Sequence, residues 1–387
     1  MDERVVSAQG FTVGVEEEYQ LVDAESGALR GRARYVIAAD WSDDIKAEMQ
    51  EHTIEVETRV CEGTRCVRED LARLRLQAAV AAEAEGVRVV AAGVHPFSPA
   101  EGYAFTDAPV YDELRAQYRA LAETQAIFGM HVHVGVPEGV DRVRVANVAR
   151  LYLPHLLALT ASSPLYGGRD TGYASFRSLV WRRWPRSGPP PRLEDAADFE
   201  RLIHWLRATG SIDAPGRIYW ELRPHHAYPT IEFRVADVTP RLDDAVAAAA
   251  LARAIVAGVA DGTLREPELP APVLQAMLGE NSWRASRDGT DAEFVDLWSA
   301  EPRVESARAA IGRLADQLAP HAERLGDAAD LAHLATLLER GGAAGAIRRR
   351  AEELEGDLAA LVRWMADETV LGVGLDRRAN QRAEITE

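Results

Sequence analysis

Four short segments, far apart along the chain, share one pattern: polar or charged residues at i and i+2 with mostly apolar alternate positions, Glu17 being the exception. They are Glu16/Glu18 in FTVGVEEEYQLV, Glu55/Glu57 in TIEVETRV, His131/His133 in GMHVHVGV and Glu232/Arg234 within residues 230–235. In extended backbone, successive side chains alternate between faces, so each pair lies on one face of a strand. The alternate positions are apolar: Val15, Val56, Val132 and Val134, Ile231 and Phe233. Such segments predict a sheet with one face packed under helices and the other loaded with carboxylate and imidazole.

A charged strand face ordinarily meets water. Four of them together, one with paired imidazoles in an apolar setting, point instead to a site. Carboxylates crowded on one face repel one another unless a cation sits among them. A set rich in oxygen and poor in nitrogen suits Mg²⁺ or Mn²⁺ better than Zn²⁺.

The rest of the chain supplies the helices. The pattern predicts helices over 68–85, 112–127, 144–162 (interrupted by Pro154) and 194–209, with strands over 87–97, 130–136, 217–222 and 230–235. Thr239-Pro240 starts a further helix that runs alanine-rich to Gly262, and beyond Arg303 the chain reads as almost wholly helical to about Asp367. The tail from Leu371 reads as a loop. Strands in the first 240 residues and helices after them argue an α+β fold with a mainly antiparallel sheet. No repeat or low-complexity linker divides residues 1–387. The expectation is a single catalytic domain, with a sheet-forming part over 11–240 that holds most of the site and a mainly helical part over 241–387.

Composition excludes several chemistries. Lys46 is the only lysine and no GxxxxGK[ST] loop occurs, so any nucleotide phosphates must be held by metal ions and arginines. A Schiff base would have to rest on Lys46, inside an acidic stretch. A net charge of −17 disfavours nucleic acid and anionic membrane as partners. Charge in the first ten residues and the lack of a long apolar run lead to the expectation of a cytoplasmic protein. Cys61 and Cys66, five apart, read as two partly buried thiols rather than a disulfide or a zinc site.

Several arginines stand beside Gly, Trp and Tyr: Arg169 and Arg177 at the ends of RDTGYASFR, Arg223 after Trp220-Glu221, Arg234, and Arg284 in ENSWRASRDG. Each alone is an ordinary surface ion-pair former. Together, in a chain almost without lysine, they suggest recognition of phosphate and carboxylate by planar guanidinium forks.

In order along the chain, GVEEEYQLVD, EMQEHTIEVET, GVHPF, GMHVHVGV, SSPLYGGRDTGYASFR, RRWP…GPP, YWELRP, PTIEFRVADV and ENSWRASRDG resemble the motifs of the bacterial carboxylate–amine ligase family, also called glutamate–cysteine ligase type 2. The resemblance spans about residues 11–290. It implies a glutamine synthetase-like catalytic fold and a reaction in which ATP and magnesium (or manganese) activate a carboxylate as an acyl phosphate, which an amine then displaces. The carboxylate implied is that of an amino acid, glutamate first, and the amine is one such as cysteine. It also implies Glu16, Glu18, Glu48, Glu55, His131 and Glu232 as metal ligands, with His133 tuning the site. Arg234 is implied as the phosphate-contacting arginine, with Arg177 and Arg284 as further catalytic candidates. Arg169, Arg223, Trp220 and His95 are implied around nucleotide and substrate. Glu17 is expected to face away and be structural, and His225 and His226 to point opposite ways at the surface. A homodimer is the family-based expectation. Two other readings compete: a metal-dependent amidohydrolase built on the HxH strand, and a non-catalytic sensor of nucleotide or amino acid with the same fold.

Overall fold

The computed structural model describes residues 10–374. The expected loop from Leu371 therefore lies largely outside the described residues. Eleven strands are numbered here in chain order. β1 (Val13–Asp23), β2 (Ile45–Ala47), β3 (Thr53–Glu57), β4 (Val87–Val90), β5 (Gly129–Gly135), β8 (Leu222–Pro224) and β9 (Thr230–Asp237) form one antiparallel sheet in the order β2-β3-β1-β5-β9-β8. β1 is long enough to take two partners on one edge: β5 pairs with its first half and β4 with its second. Two small hairpins lie apart, β6 (Leu165–Tyr166) with β7 (Arg169–Asp170), and β10 (Glu293–Val295) with β11 (Val304–Ser306).

Register carries the alternation across the sheet. Glu17 is opposite Val56 and Met130, while Glu18 is opposite Glu55 and Glu16 is opposite both Glu57 and His131. Val13, Val15, Tyr19, Ile54, Val132, Val134, Ile231 and Phe233 are buried on the inner face. Helices Thr64–Ala84 and Leu242–Ala260 pack over it. The second of these is buried almost end to end, and its Val246, Leu251, Ile255, Val256 and Val259 each contribute roughly 1.5–3 kcal/mol by leaving water.

One charged network lies inside this apolar layer. Arg75, from helix Thr64–Ala84, donates Nε to Glu17 Oε2 at 2.9 Å, and Tyr19 donates its hydroxyl to the same carboxylate. The remaining Arg75 donors reach the carbonyls of Thr239, Pro240 and Thr369. Sheet, helices and the chain's late segments are thereby tied at one point, and Glu17 faces away from Glu16 and Glu18.

β9 carries a bulge against β5. Met130 pairs with Ala236 but Val132 with Phe233, so two residues of β9 oppose His131 alone. The carbonyls of Arg234 and Val235, at the bulge, accept from the Arg177 guanidinium at 3.5 and 3.3 Å.

Several expectations are corrected. Cys61 and Cys66 form a disulfide, because the turn from β3 into helix Thr64–Ala84 brings their Cα atoms to 5.5 Å. The strand expected over 217–222 begins only at Leu222, since Pro215–Arg217 forms a 3₁₀ turn. The helix expected over 112–127 ends at Tyr118, where Arg119 takes a positive φ of 52°, and only a short turn, Ala120–Glu123, follows. The strand expected over 87–97 ends at Val90. Helix Ala271–Asp288, which the sequence reading did not contain, carries Arg284. Pro154 does interrupt the helical stretch, sitting in the first turn of Leu153–Thr160. One apolar core contains residues from Phe11 to Val373, so the helical segments pack on the sheet-forming part. Among the described residues, no helix is long and apolar enough to cross a membrane.

Candidate active site

The outer face of the sheet brings two carboxylate clusters together. Glu16, Glu55 and His131 form one, and Glu18, Glu48 and Glu55 the other, with ligand atoms in each cluster all within 4.8 Å of one another. Glu55 belongs to both. β1, β3 and β5 supply four of these residues, and the segment between β2 and β3 supplies Glu48.

Electrostatics describe a set made for a cation. Burial pushes the Glu48 carboxyl up to about 7, with Glu18 and Glu16 adding to the rise. Burial and then the Glu48, Glu16 and Glu18 charges push Glu55 well above the usual carboxylate range. Burial would also raise Glu16, but a hydrogen bond with His131 Nδ1 and the close approach of His133 Nε2, each at 2.8 Å, hold it well below that range. Burial lowers His131, with the Arg234 charge acting the same way. Four carboxylates and one imidazole in this arrangement would suit hard divalent cations, with the oxygen-rich donor set of Mg²⁺ or Mn²⁺.

Glu232 stands apart from both clusters. It lies opposite His133, and its buried carboxylate is taken by Arg223 (Nε to Oε2, 2.5 Å) and by Arg234. Burial opposes ionisation there, but the Arg234 and Arg223 charges hold the carboxyl well below its ordinary value. Arg223 also donates to the carbonyls of Gly216 and Ile218, each at 3.1 Å.

A cavity of about 270 Å³ opens beside the clusters, lined among others by Arg177, Arg234, Tyr111, Trp181, Trp184 and Tyr219. A second, of about 630 Å³, shares Glu16 with it and extends the other way past Glu57, His133, His225 and Tyr228. Glu16 therefore stands where the two chambers meet, while Glu18, Glu48, Glu55 and His131 line the smaller one. Asp237 positions the wall of the first: it accepts from Ser162 N at 3.0 Å, Ser163 Oγ at 2.6 Å and Ser175 Oγ at 2.8 Å. Ser175 caps helix Phe176–Trp181, which carries Arg177 and Trp181.

The other expected residues lie elsewhere. Arg169 is exposed on the β6–β7 hairpin. Arg284 pairs with Glu280 at 2.7 Å and donates to the Glu293 carbonyl. Trp220 packs in an apolar cluster with Phe199 and Ile203. His95 bonds the Gly27 carbonyl through Nε2 at 2.8 Å and accepts from Ser98 N through Nδ1; burial lowers it to about 4, so it is a neutral loop anchor. His225 and His226 do not point apart: their rings stack at 4.7 Å, because they sit in a turn where strand alternation does not apply. The sequence alone did not point to the aromatic wall, although Trp184 belongs to the RRWP motif.

Comparison with known proteins agrees with this architecture. Residues 12–364 match the family described as Glutamate-cysteine ligase family 2 (GCS2). A Chloroflexus aggregans protein, provisionally named a glutamate–cysteine ligase 2, is 36% identical over 367 residues, covering 94% of this chain and 93% of its own. A Mycobacterium sp. (strain KMS) protein, provisionally named a glutamate–cysteine ligase 2-2, is 39% identical over 368 residues, covering 93% and 98%. Among solved structures, Francisella tularensis glutamate–cysteine ligase in complex with AMP superposes with a TM-score of 0.64 at 11% identity, over 97% of this chain and 92% of that one. A bifunctional glutathione synthetase from Pasteurella multocida gives 0.66 at 17%, over 94% of this chain and 53% of that one. These two share the fold. With the family matched over nearly its whole length and relatives above 30% identity, the chain belongs to the glutamate–cysteine ligase family 2.

Proposed function

We propose that the chain joins an amino-acid carboxylate to an amine at the expense of ATP, passing through an acyl phosphate. Its family makes it a ligase of the carboxylate–amine type. The observation that carries the finer reading is the pair of carboxylate clusters sharing Glu55, which line the smaller chamber with Arg234 and reach the larger one at Glu16. Divalent cations held by Glu16, Glu18, Glu48, Glu55 and His131 would neutralise the phosphate oxygens of ATP as the phosphoryl group moves. In this reading the larger chamber takes the nucleotide and the smaller one the amino acid. A carboxylate oxygen of the amino acid attacks the γ-phosphorus while the bond to ADP breaks. The amine nitrogen then attacks the acyl carbon, phosphate leaves with the C–O electron pair, and the amine loses a proton to solvent. Glu232 fixes the Arg234 fork, and Arg234 offers its charge to the transferred group. The family assignment removes support for the amidohydrolase reading, and His133 does not join His131 in either ligand cluster. Lacking a membrane-spanning helix among the described residues, the chain is proposed to work in the cytoplasm.

The test is incubation with ATP, Mg²⁺ and single amino acids, without amine but with hydroxylamine, scored for ADP and hydroxamate. Wild type should form the hydroxamate of one amino acid. Arg234→Lys keeps the charge but loses the planar fork, and its turnover should fall by ~10³-fold. Release of AMP and pyrophosphate would mean adenylylation and overturn the acyl phosphate. No nucleotide turnover with any amino acid would favour the sensor.

A further inference from the structure

A cavity of about 400 Å³ opens among the helical segments and shares no lining residue with the two chambers beside the clusters. It lies between the start of helix Leu153–Thr160, the turn after helix Leu242–Ala260, the β10–β11 hairpin and helix Ala307–Leu325. Packing accounts for its rings. Tyr152 stacks on Trp298 with centroids 5.3 Å apart, and His155 lies against Phe294 at 5.2 Å. Packing leaves two polar atoms unused. Tyr152 is 5% exposed and His155 6%, and among the described residues neither the Tyr152 hydroxyl nor His155 Nε2 has a hydrogen-bond partner. His155 Nδ1 is sealed off, but these two atoms are not, so each is open on the cavity that its ring lines. Burial raises the Tyr152 hydroxyl, which stays protonated and able to donate. Burial, with the Arg313 charge acting the same way, lowers His155 to about 3, so its ring is neutral.

Charge decides what such a cavity would hold. Three guanidiniums, Arg265, Arg303 and Arg313, share its lining with one carboxylate, Asp296. That carboxylate is spent: Oδ1 accepts from Trp298 N at 3.0 Å, and Oδ2 from Arg303 Nε and Nη2 at 2.9 and 2.6 Å. Arg313 is held by Glu305. Arg265 donates Nε to the Gly262 carbonyl at 2.7 Å, and among the described residues no carboxylate pairs with it. An excess of guanidinium beside a donor hydroxyl, in a chain of net charge −17, singles out an anion. Leu314 and the half-exposed Trp298 add apolar wall, and the volume falls in the range of small-molecule pockets. We propose that this cavity is a second ligand site, for a small organic anion bearing a carboxylate or a phosphate monoester. Its charged end meets Arg265 and the Tyr152 hydroxyl, His155 Nε2 meets a further polar atom, and its apolar body lies against Leu314 and Trp298. The site stands whether or not the ligase reading does, because it uses none of the residues of that reading.

Isothermal titration calorimetry on the full chain, with excess ADP and Mg²⁺ present, tests this with three probes: benzoate, phenyl phosphate and the neutral benzyl alcohol. At least one of the anions should bind with a Kd of about 1 mM or tighter, and benzyl alcohol should not. Which anion binds tells a carboxylate ligand from a phosphate one. Tyr152→Phe removes the hydroxyl and keeps the ring packing, and Arg265→Ala alters an exposed side chain, so both variants should fold. Each should weaken the anion about 10-fold or more, the worth of a hydrogen bond to a charged group. Arg234→Lys, in the smaller chamber, should change its Kd by less than about 2-fold. Binding of neither anion would overturn the proposal. So would binding that survives both cavity substitutions, or that is lost with Arg234→Lys, since the anion would then sit elsewhere.

Discussion

Glu17 and Glu18 are chemically alike and adjacent, and a single peptide unit decides that they do different work. Glu18 is partly exposed in a cluster with Glu48 and Glu55, while Glu17 is fully buried against Arg75 and Tyr19. Removing a charge from a metal cluster should cost more than losing an outer-shell partner, which alone is worth 10–100-fold in metal affinity. Glu18→Gln is therefore expected to lower metal-dependent turnover by at least about 10²-fold with little change in stability. Glu17→Gln should do the reverse. It leaves the buried Arg75 guanidinium uncompensated, at a cost of about 3–5 kcal/mol, while turnover of the folded fraction stays near normal. Denaturant titration and initial rates measured side by side check this. Equal loss of turnover in both variants would contradict the placement of the two residues on opposite faces.

Among the elements, the β5–β9 pair does most to shape the site. Its bulge turns two carbonyls toward Arg177 and leaves Glu232 opposite His133 rather than His131. Close approach at Gly129 is part of the arrangement. A Cβ there would lie 2.3 Å from Arg177 Nη2, and the glycine N–H donates to Glu18 Oε2 at 2.5 Å. Gly129→Ala should push the guanidinium out of the chamber wall. A displacement of about 1 Å at a positioning group can cost about 10²-fold in rate. The expected result is a loss of kcat/KM for the amino acid with the fold intact by circular dichroism; an unchanged kcat/KM would show that Arg177 does not act at the site. The disulfide belongs to this scale too. It clamps the exit of β3 to the start of helix Thr64–Ala84, and Cys61 bridges back to Val13 at the head of β1.

For the whole molecule, the acidic face is a liability that a bound cation would relieve. In metal-free protein the Glu48 carboxyl titrates at about 7 against an ordinary 4.5, so it favours the folded state fully below about 4.5 and loses that contribution as pH rises through about 7. Glu55 is shifted in the same direction. The melting temperature in chelator is therefore expected to fall between pH 4.5 and 7 because of these groups, and Mg²⁺ should restore it most at the upper end. At a concentration of 100 Kd, a cation bound only by the folded state adds about 2.7 kcal/mol. Thermal melts across pH, with chelator or Mg²⁺, measure this directly. A chelated protein no less stable at pH 7 than at pH 5, and indifferent to Mg²⁺, would count against a cation site in the clusters.

What could be read from the sequence alone is what period-2 alternation encodes. Each i, i+2 pair had to share a face, so the division of Glu16 and Glu18 from Glu17, and the existence of one acidic face, followed from local geometry. The antiparallel α+β class followed from the order of elements, and the ordered motifs carried the family. Register, bulges and the packing of distant loops are not local. They depend on which strands pair and where the pairing slips, and no single segment contains that information. Tertiary structure therefore decided that Glu232 is tied up by two arginines, that Arg169, Arg284, His95 and Trp220 stand away from the chamber, and that Cys61 meets Cys66. It also decided that Gln50 and Gln125, each unremarked in sequence, help to line the smaller chamber.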